Sequence, residues 1–200
     1  IIQTVMTNLP KLNEDGYSRL AAFIHTFDNI FTEDFCNIII NEYKEIDYVT
    51  AVDHGADYRK CMGAKILNNA DDKRKEIDKT LFDGLQKILE ELKILHPTLL
   101  SIEDDSGYDL LRYKIGDYYM PHIDAGTKNH RVLSVIIGLN EDYQGGEIDL
   151  WQGASITKLG IGSVMIFPSN FMYPHGIRPV TNGLRYSIVT WFNYGNSDNT

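Results

Sequence analysis

Residues Tyr108–Asp124 read YDLLRYKIGDYYMPHID, and with them the chain changes character. From Tyr108 onward, short runs rich in β-branched and aromatic residues alternate with turn residues: YDLLRYKI, RVLSVIIGL (131–139), EIDLW (147–151), SITKL (155–159), SVMIF (163–167) and LRYSIVTWF (184–192). Such runs at even spacing predict strands of a sandwich or barrel. Gly145-Gly146, Gly160-Ile161-Gly162 and Asn182-Gly183 fall between them as turns. Within the opening stretch, His122 and Asp124 are one residue apart. On an extended strand residues i and i+2 share a face, so both side chains can grip one object.

The segments before Tyr108 have a different period. Thr32 can cap a helix, Glu33 and Asp34 fill its first turn, and Phe35, Ile38, Ile39 and Tyr43 recur at helical spacing, which predicts a helix over 32–47. A second helix is expected from Asp71 to about Leu95. Its apolar stripe is Ile77, Leu81, Leu85, Ile88, Leu92 and Leu95, and Pro97 ends it. Helices followed by strands give an α+β class, with the helices buttressing one face of the β structure. Two hundred residues with 43% hydrophobic content form a single domain with a substantial core.

The net charge of −9 argues against a broad phosphate-binding face, so no nucleic-acid partner is expected. Cys36 and Cys61 are the only cysteines; they form no CxxC pair and are expected free, in a reducing, cytoplasmic compartment. No apolar run approaches the ~20 residues that cross a bilayer, and no basic-then-apolar leader is present, so a soluble chain is expected. The sequence opens on Ile1 rather than Met, which leaves room for a targeting segment upstream.

Among six histidines, His175 stands out, because MYPHGIRPVTNGLRYSIVTWF (172–192) places Arg185 ten positions after it and Ser187 two further on. Two histidines and one carboxylate on a β scaffold make a facial triad, which leaves three positions of an octahedral ion open and suits Fe(II) and dioxygen. Catalytic zinc also keeps an open position, so the triad alone does not discriminate. Arg185 does. A guanidinium grips a carboxylate through two parallel hydrogen bonds, and the Ser187 hydroxyl at i+2 lies on the same face, so together they would hold the far carboxylate of a dicarboxylate cosubstrate.

Over 108–194 the ordered set Tyr113, Gly116, Tyr119, His122-x-Asp124, Arg131, Leu139-Asn140, Gly145-Gly146-Glu147, Gly162, Phe167, His175-Gly176, Pro179-Val180, Gly183-x-Arg185-x-Ser187 and Thr190-Trp191-Phe192 resembles 2-oxoglutarate- and Fe(II)-dependent dioxygenases of the prolyl 4-hydroxylase type. The resemblance implies a double-stranded β-helix (jelly-roll, cupin-like) with helical support over about 1–100 and a catalytic barrel over about 101–195. It implies His122, Asp124 and His175 as iron ligands, Arg185 as the anchor of the 2-oxoglutarate C5 carboxylate, and Ser187 and Tyr113 as further cosubstrate contacts. The implied reaction is hydroxylation of an aliphatic C–H with O2, releasing succinate and CO2, with ascorbate as an accessory reductant.

The carboxylate at Asp124 favours hydroxylation over halogenation, since related halogenases carry a small residue there. Collagen-type members usually carry Lys at the anchor, unlike Arg185, and the oxygen-sensing branch carries a tyrosine near Gly138 that is missing here. Nucleic-acid demethylases of the superfamily have a second Arg six residues after the anchor, where this chain has Trp191. A prolyl residue in an extended peptide is the expected substrate, because polyproline II segments are pre-ordered for an aromatic groove; a free amino acid is the alternative, and a non-catalytic metal-binding barrel the rival class. Tyr113 and Tyr119 are expected to line the pocket, Tyr118 and Met120 to pack, and Asp47–Met62 to form a lid.

Overall fold

The computed structural model describes residues 14–44, 49–50, 57–67, 71–126 and 130–194. In chain order these hold α1 (Glu14–Ala21), β1 (His25–Phe27), α2 (Glu33–Glu42), β2 (Val49–Thr50), β3 (Arg59–Lys60), β4 (Met62–Ile66) and α3 (Asp72–Leu95). The strand-rich part follows: β5 (Ile102–Asp105), β6 (Tyr108–Tyr113), β7 (Tyr118–His122), β8 (Arg131–Gly138), β9 (Gln144–Gly145), β10 (Ile148–Leu150), β11 (Ser155–Thr157), β12 (Val164–Pro168), β13 (His175–Ile177), β14 (Val180–Asn182) and β15 (Arg185–Tyr194). A major sheet runs β1-β12-β8-β15-β6-β4-β2, with β5 also on β15, and a minor sheet runs β11-β10-β13-β7-β3. Every strand pair is antiparallel. The two facing sheets form the jelly roll; α2 and α3 cover the outer face of the major sheet, whereas α1 packs beside Trp151 and Tyr173.

Two apolar clusters follow from this layering. One joins Cys36, Ile39 and Tyr43 of the α2 region and Ile77, Leu81, Leu85, Ile88, Leu89 and Leu92 of α3 to Leu133, Val135, Ile137, Tyr186, Ile188 and Phe192 of the major sheet. The other lies between the sheets and includes Leu111, Tyr113, Ile136, Ile148, Leu150, Phe167 and Ile177. Each large side chain fully buried in this way contributes about 1.5–3 kcal/mol relative to exposure. The alternation along β15 divides its side chains between the two: Tyr186 and Ile188 face the helices, while Arg185, Ser187 and Val189 face the interior cavity.

The helices differ in detail from the expected ones. Thr32 caps α2 by accepting from the Phe35 N–H, but the helix stops at Glu42 instead of reaching 47; Tyr43 leaves helical geometry at φ −100°, ψ 8°, and residues 45–47 lie outside the described ones. Its buried face is Cys36, Ile39 and Tyr43, and Ile38 is exposed, because burial follows i, i+3, i+7 from Cys36 and not from Phe35. In α3 the cap is Asp71, as expected, while Leu89 joins the stripe and Leu95 is exposed at the helix end.

More of the first half is strand than its sequence shows. Arg59 and Lys60 pair with Tyr119 and Tyr118, and β4 pairs with β6. The end of the expected lid is therefore barrel wall; Cys61, placed in that lid by sequence, is buried, and the rest of the stretch, apart from Val49–Thr50 and residues 57–58, lies outside the described residues. Both cysteines are free. No helix among the described residues is long and apolar enough to cross a membrane.

Gly162 shows how closely the layers approach. It sits at φ +69°, and a Cβ there would lie 1.8 Å from the Phe31 carbonyl oxygen, while its own carbonyl accepts from the Phe31 N–H. Gly162→Ala is expected to lower unfolding free energy by about 3 kcal/mol or more, combining left-handed strain with a backbone clash. Urea unfolding checks it; a loss under 1 kcal/mol (about one third of the estimate) would show the β1–α2 connection yielding freely.

Candidate active site

Strand pairing brings the expected ligands together from distant parts of the chain. His122 ends β7 and sits directly opposite His175, the first residue of β13. Asp124 is not on the strand with His122, as the alternation argument assumed: β7 stops at His122, and Asp124 lies in the bend that follows. Nevertheless one ligand atom from each of His122, Asp124 and His175 lies within 4.8 Å of the other two.

The tautomers follow from the partners. His122 Nδ1 is 3.0 Å from the Met120 carbonyl and His175 Nδ1 is 3.1 Å from the Tyr173 carbonyl; a carbonyl only accepts, so each Nδ1 carries the hydrogen. Each Nε2 then presents a lone pair. These lone pairs face the Asp124 carboxylate, His175 Nε2 at 3.3 Å from Oδ2 and His122 Nε2 at 3.6 Å from Oδ1. Acceptors facing acceptors in a buried space repel one another unless a cation lies among them.

Burial lowers the pKa of His122, which favours the neutral ligand form over the imidazolium. Burial also opposes ionisation of Asp124, but whenever the imidazoles beside it are protonated at Nε2 they donate to its carboxylate and hold its carboxyl well below the usual range. Cis ligands on an octahedral ion with ~2.1 Å bonds lie about 3 Å apart, close to the observed spacings, so the donor set fits a divalent metal. Tyr119 stacks on His122 at 3.6 Å and Phe167 meets His175 edge-on at 4.7 Å, and both contacts fix the rings.

The second pole of the cavity is Arg185. It is 3% exposed, it donates from Nη1 to Ser187 Oγ at 2.7 Å, and its Nε has no hydrogen-bond partner among the described residues. A buried guanidinium with an unsatisfied donor is costly and calls for an anion. Arg185 pairs in register with Tyr113, whose ring lies 5.1 Å from the guanidinium carbon. Burial, and then Cys61 beside it, push the Tyr113 hydroxyl pKa upward, so it stays protonated as a donor. His122, Asp124, His175, Arg185, Ser187, Tyr113 and Tyr119 all line one cavity, whose wall also carries Ile177, Val189 and Trp191.

Of the two residues expected to pack, Tyr118 is half-buried and Met120 is exposed. No side chain fits at Gly138, opposite Ser187, because a Cβ there would lie 2.7 Å from the Gly160 carbonyl oxygen. Sequence reasoning missed several supports. At Gly146, φ is +67° and a Cβ would lie 2.9 Å from Arg185 Cδ, so this glycine makes room for the Arg185 stem. Burial pushes the Tyr143 hydroxyl pKa upward and the Arg185 guanidinium beside it opposes that push, and Ser134 donates to Asp124. Only the glycine pair left a mark in the sequence.

Comparison with known proteins agrees with this geometry. Residues 108–193 match the 2OG-Fe(II) oxygenase superfamily. The chain is 34% identical over 86 residues to a PKHD-type hydroxylase of Idiomarina loihiensis, covering 40% of this chain and 38% of that protein. It is 28% identical over 109 residues to one from Synechococcus sp., covering 50% and 43%. The chain thus spans about two fifths of the length of the curated relatives it matches.

Among solved structures, a Pseudomonas putida prolyl-4-hydroxylase superposes with a TM-score of 0.70 at 18% identity over 91% of this chain and 98% of its own. A Trichoplax adhaerens prolyl hydroxylase, solved with a hypoxia inducible factor oxygen degradation domain peptide, gives 0.72 at 18% identity over 90% and 87%. At such identities the likeness concerns the fold, which is the prolyl hydroxylase type of jelly roll.

Proposed function

We propose, on the premise that residues 108–193 belong to the 2OG-Fe(II) oxygenase superfamily, that this chain hydroxylates an aliphatic C–H of a prolyl residue in a peptide at the expense of 2-oxoglutarate. The observation that carries the reading is the pairing of three facing metal-ligand acceptors with a buried, partly unsatisfied guanidinium in the same cavity. A purely structural metal site has no use for the second element. When bound, Fe(II) lets O2 be split between the products: 2-oxoglutarate takes up one oxygen atom and loses CO2 to give succinate, and the other atom enters the substrate C–H bond.

The chain's own groups do the rest. His122, Asp124 and His175 would hold the metal, and the carboxylate at Asp124 would leave no place among them for a halide. Arg185 forms a two-pronged bond to the C5 carboxylate of 2-oxoglutarate, with the Ser187 and Tyr113 hydroxyls as further donors. Tyr119, Ile177, Val189 and Trp191 give the cavity an apolar, aromatic wall that suits a pyrrolidine ring, and Arg131 stacks 3.4 Å over Trp191 and steadies it. The helical layer and the barrel act as one catalytic unit, and two free, buried cysteines suit a reducing compartment.

The test is succinate release under Fe(II), 2-oxoglutarate and ascorbate across proline-containing peptides and free amino acids, with the product mass gaining one oxygen atom. Turnover of peptides supports the reading. Turnover of free amino acids alone moves the substrate to the small-molecule class, and failure of the Fe(II) protein to bind 2-oxoglutarate at all removes the proposal.

A further inference from the structure

Asp124 lies beyond the end of β7, so no strand ladder fixes it, yet the site requires its carboxylate in one place. The hydrogen bonds around it supply the missing constraint. Ser134 Oγ donates to Asp124 Oδ2 at 2.6 Å, and the Ser134 and Ser169 hydroxyls lie 2.8 Å apart. An ionised carboxylate only accepts, so the single Ser134 hydrogen is committed to Asp124, and Ser169 must be the donor to Ser134. The chain of donation therefore runs Ser169 to Ser134 to Asp124.

Both serines are 1% exposed, and their backbones are tied to rigid elements. Ser134 sits mid-strand in β8, opposite Phe167 on one side and Trp191 on the other. Ser169 follows β12; its N–H donates to the Val132 carbonyl at 2.9 Å, and its carbonyl accepts from the Ala125 N–H at 2.9 Å. The bend that carries Asp124 is thus held from two neighbouring strands, its Ala125 backbone by Ser169 and its Asp124 side chain by Ser134.

We infer that Ser134, oriented by Ser169, is a positioning residue that holds the Asp124 carboxylate in a single orientation, so that it binds the metal through one oxygen and leaves the positions the cosubstrate needs. This rests on the metal-binding reading given under Proposed function. A carboxylate without the Ser134 bond could rotate and grip the ion with both oxygens, closing a position. Hydrogen bonds behind a ligand commonly account for 10- to 100-fold in metal affinity.

The test uses Co(II) as probe, without turnover. Ser134→Ala is expected to bind Co(II) roughly 10- to 100-fold more weakly than wild type and to change the intensity of the visible d–d bands, which report coordination number. Ser134→Thr, which keeps the hydroxyl, should restore both, and Ser169→Ala, which acts through Ser134, should show a smaller loss. A folded Ser134→Ala with wild-type affinity and spectrum would overturn the inference, as would a folded Ser134→Thr that rescues nothing. Should Ser134→Ala not fold, Ser169→Ala decides: a weakened affinity supports the relay and an unchanged one overturns it. If the wild-type protein itself binds no Co(II), the metal reading fails instead, so the two failures are distinct.

Discussion

Arg185→Ala is expected to weaken 2-oxoglutarate binding by roughly 30- to several-thousand-fold while leaving metal affinity nearly unchanged. The range follows from the loss of a buried, charge-assisted, two-pronged pair, about 2–5 kcal/mol, at ~1.4 kcal/mol per tenfold. The selectivity follows from placement. Arg185 and Ser187 lie together on β15, whereas the proposed metal ligands sit on the bend after β7 and at the β7–β13 pairing. Arg185→Lys keeps the charge but loses the planar fork, so it should retain part of the binding. Titration of 2-oxoglutarate into the anaerobic Fe(II) protein, followed by its charge-transfer absorbance, measures all three; an Ala variant that binds like wild type would leave only a generic metal-binding barrel.

His175→Ala shows the complementary pattern. Removing one of three protein ligands should weaken metal binding by roughly 100- to 1,000-fold and abolish turnover. Cosubstrate binding should go with it, because on the proposed function 2-oxoglutarate would be held by the metal as well as by Arg185. His130, which is exposed and outside the cavity, is the control: His130→Ala should leave metal binding and turnover within a factor of two, about 0.4 kcal/mol. Isothermal titration with Mn(II) under anaerobic conditions reads the affinity, and a His175→Ala protein with substantial turnover would show the ligand set to be wrongly drawn.

The second half of the chain was the legible part. Its strands are runs of β-branched and aromatic residues, its turns carry glycine, and its polar residues, with little reason to sit in a core, stand at spacings that the proposed metal and dicarboxylate explain. What misled was the shift from strand to bend at His122: period-2 reasoning put Asp124 on the ladder, and the structure holds it by side-chain hydrogen bonds from Ser134, which sits 10 positions away, and so from no local pattern. β3 and β4 were hidden because RKCMGAKI is short and mixed in polarity, and its strand character comes from pairing with β7 and β6. In α2 the periodicity was right and one position was not: Ile39 and Tyr43 are buried and Phe35 packs partly buried, whereas Ile38 is exposed and Cys36 takes its place in the packed face.

The division of β15 between two faces bears on how such a chain can change over time. One strand is at once the wall of the cavity and the floor on which α2 and α3 rest: Arg185 and Ser187 look one way, Tyr186 and Ile188 the other. The helices need only present apolar bulk to that floor, a demand that many different sequences meet. The cavity side demands particular atoms at particular places. Sequence likeness to the PKHD-type hydroxylases therefore fades to 40–50% of the chain, while likeness of shape to solved prolyl hydroxylases extends over about nine tenths of it. The matched segment is accordingly not a portable module. Cut free of its helices, it would expose the apolar reverse of the strand that carries its own cosubstrate anchor.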